Sequence, residues 1–300
     1  MNIIATHNLT RRFGRTEAVH GLTLEVPAGR ICALLGPNGA GKTTTLKLIM
    51  NLLRPTAGEA RVLGVDSRRL GERELSQIGY VSENQQLPLW MTVGQLLDYC
   101  RPFYPTWDAA LEKTLLAKFE LPADRKLKHL SRGMLMKAAL LSSLAYRPKL
   151  LVLDEPFSGL DPLVREELIH GMLEVSAQGD WSVLVSSHDV DEVERLVDHV
   201  ALLEHGRLRL SEPAEALQGR FRRVEMTRAA AGQPLAGMLE WAQSGQMTRF
   251  VATDYAGEAS ERTWRERFPG AELRIGPMSL KEIFVSLIRA GKPTQEGVAA

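Results

Sequence analysis

The stretch Gly36-Pro37-Asn38-Gly39-Ala40-Gly41-Lys42-Thr43-Thr44 constrains this chain more than any other. It spells a Gly, four residues, then Gly-Lys-Thr, a pattern in which consecutive backbone N–H groups turn inward around an anion. Lys42 adds a point charge for the outer phosphates, and the Thr43 hydroxyl is placed to ligate Mg²⁺. The helix that starts there aims its positive end at the same spot. The apolar run Ile31-Cys32-Ala33-Leu34-Leu35 comes before the pattern, and Leu46, Leu48 and Ile49 follow it at helical spacing. That is the strand, loop and helix setting the pattern requires. The local reading is a phosphate loop in an α/β fold, binding a nucleoside triphosphate with Mg²⁺.

A chain of 300 residues that is 44% apolar has room for one large α/β domain and a smaller one. Its 37 Lys and Arg against 36 Asp and Glu give no global field to attract nucleic acid or an anionic membrane. The two cysteines, Cys32 and Cys100, read as reduced thiols in a reducing compartment. The first residues, Met1 to His7, lack the basic region and apolar core of a signal peptide. No apolar run approaches the ~20 residues that cross a bilayer, so any membrane role is expected to come from a partner chain.

From Ile3 to Val26 apolar and polar residues alternate between turn signals, which predicts short, mostly antiparallel strands. Phe13 lies there; its ring either stacks on a purine base or is an ordinary half-buried sheet residue. The segment Glu59 to Val65 reads as a strand or hairpin, and Ile78 to Val81 as a buried strand ending on Ser82 and Glu83. Strand ends are where ligands sit in open α/β sheets, so Glu83 is a candidate contact for metal or water, or else a solvated loop carboxylate. Helical patterns then run to about Arg147, with Ser131 placed to cap the last helix. Lys126, Lys128 and Arg132 read as a solvated basic face.

The strand Leu150 to Leu153 ends on Asp154 and Glu155. Adjacent carboxylates at a buried strand tip are costly unless a cation or substrate uses them. Asp154 can hold Mg²⁺ through water, and Glu155 can orient and deprotonate an attacking water. A turn at Ser158 to Pro162 opens a helix from Leu163 to about Ser176. The strand Val183 to Val185 runs into Ser186, Ser187 and His188, and of seven histidines His188 is the one assigned to chemistry. A helix from Val190 to Val197 and a hairpin from Val200 to Leu210 complete the large domain. Beyond Pro213, strands at Val224 to Met226, Arg249 to Ala252 and Glu272 to Ile275 alternate with helices at Glu258 to Phe268 and Leu280 to Ile288.

In this order and spacing, residues 1 to about 212 resemble the ATP-binding subunit of an ABC transporter. The resemblance implies a P-loop ATPase core with an N-terminal antiparallel β subdomain and a helical insertion at about 86–147. A small C-terminal α/β accessory domain would occupy 213–300, with a loose tail from Gly291. It implies that Gly36 through Thr44 bind ATP, that Asp154 and Thr43 hold Mg²⁺, that Glu155 is the catalytic base and His188 the switch residue, and that Phe13 stacks on adenine. The family's Leu-Ser-Gly-Gly-Gln signature stands here as Leu130-Ser131-Arg132-Gly133-Met134. Ser131 and Gly133 would close on the γ-phosphate held by a second ATP-binding subunit, in a head-to-tail homo- or heterodimer. Glu83 replaces the usual Gln that touches both Mg²⁺ and the attacking water. These departures, with the C-terminal addition, resemble the branch pairing with separate exporter-type permeases, at the cytoplasmic face of the membrane.

The competing reading is a soluble ABC-type ATPase acting on ribosomes or DNA. Such relatives usually carry two ATP modules or a long coiled-coil insertion, and the near-neutral charge argues against a polyanion surface. A small-molecule phosphotransferase would leave the Ser131 to Gly133 segment and the Asp161 turn without a purpose.

Overall fold

The computed structural model describes residues 1–176, 181–227 and 233–290. The chain divides into two compact units, Met1–Ser211 and Glu212–Ala300. The first begins with β1 (Asn2–Phe13), β2 (Thr16–Leu22) and β3 (Glu25–Pro27). Next come β4 (Ile31–Leu35), α1 (Lys42–Ile49), β5 (Ala57–Val62) and β6 (Val65–Asp66). A short α2 (Glu72–Leu75) precedes β7 (Ile78–Ser82). The expected short strands at the start include one of 12 residues, β1. It serves two sides, because its register slips near Asn8, which adopts a positive φ of 47°. Antiparallel pairing joins β1 to β2, β3 and β5.

The helical insertion follows as α3 (Val93–Cys100), α4 (Ala109–Lys118) and α5 (Arg132–Leu144). Each helix starts on a side-chain cap. Thr92 Oγ1 accepts from Gln95 N–H at 3.1 Å while the Gln95 side chain accepts from Thr92 N–H at 2.9 Å, a reciprocal capping box. Asp108 accepts from the N–H groups of Ala110 and Leu111, and Ser131 accepts from that of Met134.

The core sheet adds β8 (Leu150–Asp154), then α6 (Pro162–Ser176), β9 (Ser182–Ser187), β10 (His199–Glu204) and β11 (Arg207–Pro213). Its strand order is β11-β10-β4-β9-β8-β7, with β10, β4, β9, β8 and β7 parallel. Residues 31–35, 150–154 and 182–187 are buried throughout, as strands covered on both faces must be. Parallel strands finish on a common edge, and the register puts Leu35 beside Ser187, Asp154 beside Ser186, and Ser82 beside Asp154. That edge gathers the segments that follow four strands. Cys32 packs inside this sheet, where burial pushes its thiol up to about 12, and it and Cys100 are both free.

One helix expected from the sequence is absent. Residues 190–197 form a single 3₁₀ turn at Val190–Glu192 followed by turns. Val190, Val193, Leu196 and Val197 are buried at helix-like spacing, but the segment is only one turn longer than a helix nucleus needs. Asp198 pulls the chain into β10 by accepting from Ile31 N–H at 2.9 Å.

The second unit contains α7 (Ala214–Arg220), β12 (Arg222–Thr227), β13 (Met238–Ser244) and β14 (Met247–Ala252). It ends with α8 (Glu258–Arg267), β15 (Glu272–Pro277) and α9 (Leu280–Ala290). Its antiparallel sheet has the order β13-β14-β12-β15. Val224, Met226, Phe250 and Ala252 pack with Trp264 and Phe268 into a separate core. The apolar stripe of α9 lies over α7 and β13. The tail expected to be loose, Gly291 to Ala300, lies outside the described residues.

The insertion docks on α6 through a glycine. A Cβ at Gly171 would stand 2.5 Å from Cε1 of Phe119, a ring that is only 1% exposed and has no room to retreat. Gly171→Val is therefore expected to lower unfolding stability by about 1–3 kcal/mol through overpacking. Urea unfolding of the variant and wild type measures this, and an unchanged midpoint would contradict the docking.

Candidate active site

The phosphate loop owes its shape to two close approaches. At Gly36 a Cβ would lie 2.2 Å from the carbonyl oxygen of Leu203 in β10. Gly41 has a φ of 101°, and its Cβ would lie 2.4 Å from the Ala18 oxygen in β2. Neither position admits any other residue without moving backbone. The loop therefore fits tightly against both sheets, with Gly39, Ala40, Lys42 and Thr43 lining a cleft of about 680 Å³. Phe13, Ala18, Asn38, Thr44, Glu83, Glu155, Ser158 and His188 also line it. Phe13 is 46% exposed, with the Arg11 guanidinium 4.6 Å from its ring centre.

Lys42 is only 5% exposed, so its ammonium needs partners in place of water. It donates to the carbonyls of Gly36 at 2.7 Å and Pro37 at 3.2 Å, and stands 3.1 Å from Glu155 Oε1. Glu155 reaches this position through a left-handed backbone turn, φ 53°, directly after β8. A carboxylate residue held in that region is an uncommon conformation of the kind that collects at functional sites. Its other oxygen, Oε2, accepts from Nδ1 of His188 at 2.8 Å and from the His188 N–H at 3.3 Å. The tips of β8 and β9 thus meet through Glu155 and His188.

Asp154 lies beneath, 4% exposed. Its Oδ1 accepts from Thr43 Oγ1 at 2.9 Å and from Ser186 Oγ at 2.8 Å, and Ser186 Oγ in turn accepts from Glu155 N–H at 3.0 Å. Ser186, to which the sequence assigns no role beyond ending its strand, ties Asp154 to Glu155; the signal is its place at the tip of a buried strand. A second overlooked support is Glu192, 5% exposed, which accepts from Ser187 Oγ at 2.6 Å behind the His188 turn.

The arrangement suits Mg²⁺ shared with a phosphate. Among the described residues no group of three or more His, Cys, Asp or Glu could hold a metal alone. One hydroxyl backed by a buried carboxylate matches the sparse protein ligation that Mg²⁺ takes when phosphate and water fill the remaining positions. Thr43, Asp154 and Glu83 are the residues that would hold it.

Ser131 and Gly133 are not among the residues lining this cleft. Ser131 caps α5, and Gly133 is buried against Val164, where a Cβ would stand 2.8 Å from Cγ1. Arg132 departs from the expected solvated basic face: its guanidinium pairs with Glu83 and donates to the Ser158 carbonyl at 2.7 Å.

Glu155 also gives His188 a pH signature. The hydrogen bond to Glu155 is the main cause that raises His188 above its ordinary 6.5. With the folded value raised, the pair's contribution to stability is complete below pH 6.5 and is lost as pH climbs through the folded value. His188 is 40% exposed, so solvent limits the contribution to less than about 1 kcal/mol. The stability difference between wild type and His188→Gln should accordingly shrink as pH rises from about 6, measured by urea unfolding at successive pH values. A difference independent of pH would show that His188 does not titrate against Glu155.

Comparison with known proteins places this geometry in context. The ABC transporter family model matches residues 19–158. The Nod factor export ATP-binding protein I of Burkholderia lata is 41% identical over 207 residues, covering 67% of each chain. The daunorubicin/doxorubicin resistance ATP-binding protein DrrA of Streptomyces peucetius is 36% identical over 216 residues, 68% of this chain and 63% of that one. The sulfate/thiosulfate import ATP-binding protein CysA of Burkholderia mallei is 34% identical over 214 residues, 68% and 61% respectively. A solved ATP-binding subunit of an ABC transporter superposes with a TM-score of 0.66 at 28% identity, over 72% of this chain and 92% of that one. The phosphate loop, Asp154 and Glu155 lie within the residues that the family model matches, and the chain belongs to the family of ABC transporter ATP-binding proteins.

Proposed function

We propose that this subunit hydrolyses ATP within a head-to-tail dimer and thereby drives a separate membrane permease, in the direction of export. The observation that carries the chemistry is the convergence of Lys42, the Thr43–Asp154 contact and the Glu155–His188 contact in one cleft. Lys42 binds the outer phosphates of ATP, and Phe13 supports the base. A phosphate that takes Lys42 as its partner releases Glu155 to an attacking water. Glu155 orients that water and accepts its proton while the bond from the γ-phosphorus to the bridging oxygen breaks, with ADP leaving on the bonding pair. His188 holds Oε2 of Glu155 and keeps the carboxylate aimed. Mg²⁺, when bound, offsets the charge on the β- and γ-oxygens.

The second subunit is supported by the positions of Ser131 and Gly133, which are not among the residues lining the cleft of their own chain. A permease partner is supported by the relative named as an export ATP-binding protein; among the described residues no helix is long and apolar enough to cross a membrane. At the Glu83 loop is a small pocket of about 100 Å³, lined by Leu87, Leu89, Leu135 and Met136 together with Glu83, Gln85 and Arg132. The permease would hold the subunit at the cytoplasmic face of the membrane. Export rests on the two relatives named for export and for drug resistance, at 41% and 36% identity, against 34% for the import protein.

Three variants test the reading. Glu155→Gln should bind MgATP yet turn it over at least about 100-fold more slowly, because its amide takes no proton. Light scattering with saturating ATP should show this variant as a dimer; a monomer would contradict the shared site. Lys42→Ala should lose most nucleotide affinity, read by titration of a fluorescent ATP analogue, and near-normal affinity would displace the assigned site. The 213–300 segment is proposed as an accessory domain that favours subunit association. A chain ending at Pro213 should bind ATP normally but need higher protein concentration for hydrolysis, and equal specific activity across a dilution series would remove that role. Co-purification with a membrane protein, followed by efflux from vesicles carrying both, tests the partner and direction.

A further inference from the structure

Glu83 presents a charge problem. It follows β7, donates its N–H to the Asp154 carbonyl at 3.0 Å, and lines the same cleft as Lys42, Thr43 and Glu155. A carboxylate in the wall of a cleft that takes a polyanion repels it unless a cation stands nearby. Lys42 is already engaged by Glu155 at 3.1 Å. The cation that pairs with Glu83 is Arg132, on the first turn of α5 and 49 residues away in sequence. Nη2 of the same guanidinium donates to the Ser158 carbonyl at 2.7 Å, in the turn after β8. Space is kept for it by Gly159, where a Cβ would stand 2.7 Å from Nη1 of Arg132. Three segments, following β7, following β8 and opening α5, therefore meet on one guanidinium.

We propose that Arg132 is the positioning residue for Glu83, and that the two side chains form one charge-compensated unit that sets how the cleft takes up Mg²⁺ and ATP. This rests on the ATPase reading above. The side chains are 53% and 28% exposed, so the pair adds little to stability; its effect lies in where the carboxylate points and in the field it presents. Removing Arg132 leaves a bare acid beside the phosphates, which repels ATP and attracts Mg²⁺. Neutralising Glu83 alone leaves a bare cation, which does the reverse. Neutralising both removes the conflict.

The test is steady-state hydrolysis by the full chain, together with titration of a fluorescent ATP analogue at varied Mg²⁺ as a readout without turnover, in wild type, Arg132→Gln, Arg132→Lys, Glu83→Gln and the double variant Glu83→Gln/Arg132→Gln. Arg132→Gln should raise KM for ATP about tenfold with a smaller change in kcat, and lower the Mg²⁺ concentration for half-activity about threefold. Glu83→Gln should raise that Mg²⁺ concentration, and Arg132→Lys, which keeps the charge without the fork, should recover part of the loss. The double variant should have a KM for ATP closer to wild type than Arg132→Gln has, because the pair's effects are coupled. Additive losses in the double variant, or Mg²⁺ curves unmoved by Arg132→Gln, would overturn the proposal. Melting temperatures within about 4 °C of wild type establish that the variants are folded; should Arg132→Gln melt lower, Arg132→Met carries the same comparison. A wild type without ATPase activity would instead overturn the functional reading itself, so the two failures are distinct.

Discussion

A single ammonium held out of water organises this cleft. Lys42 is almost fully buried, and such a charge survives only when its desolvation is offset by close partners. Two of them, the carbonyls of Gly36 and Pro37, belong to its own loop and fix the loop's curvature. The third, Glu155, comes from another strand. A phosphate carries more charge than one carboxylate and competes for the same ammonium. In the proposed cycle, binding nucleotide and freeing the carboxylate that activates water are therefore one event at one contact.

The parallel sheet makes that contact possible. Strands β4, β8 and β9 are buried on both faces, so each is a short apolar run that ends where polarity returns. Because they run the same way in adjacent register, the polar residues that end them arrive together: the phosphate loop, Asp154 with Glu155, and Ser186 with His188. This is why those parts were legible in the sequence. An uninterrupted apolar stretch followed by acids or a Gly-rich loop is a local signal, and the fold only has to align the ends. The segment from Val190 to Val197 shows the opposite case. Its valines and leucines repeat at helical spacing, yet burial against several elements produces the same spacing without a helix, and Asp198 ends the segment by bonding Ile31. Strand β13 and helix α7 left no comparable signal, since no residue of β13 is buried and α7 spans only 7 residues.

Contacts between side chains distant in sequence were the illegible part of the site. In the sequence, Glu83 and Arg132 read as two separate departures from the family's usual residues, and Arg132 was grouped with Lys126 and Lys128 as a solvated face. The structure brings the two departures into contact with each other. No periodicity marks such a pair, because each residue is a single substitution in its own loop and only the tertiary fold supplies the partner. Ser186 is similar. It is one small hydroxyl in a buried strand, and its importance comes from lying across the ladder from Asp154 while its oxygen also receives Glu155 N–H.

The second unit bears on function in a different way. Every residue that lines the cleft belongs to Met1–Ser211. The Glu212–Ala300 unit has its own antiparallel sheet and its own aromatic core, and the apolar stripe of α9 is covered by β13 and α7. That stripe is consequently part of the unit's folding rather than a free docking face, and helical periodicity alone does not distinguish the two. With no residue of its own among those that line the cleft, the second unit is proposed to alter turnover by changing how often two cassettes are assembled. An effect of that kind scales with protein concentration, whereas a catalytic contribution does not.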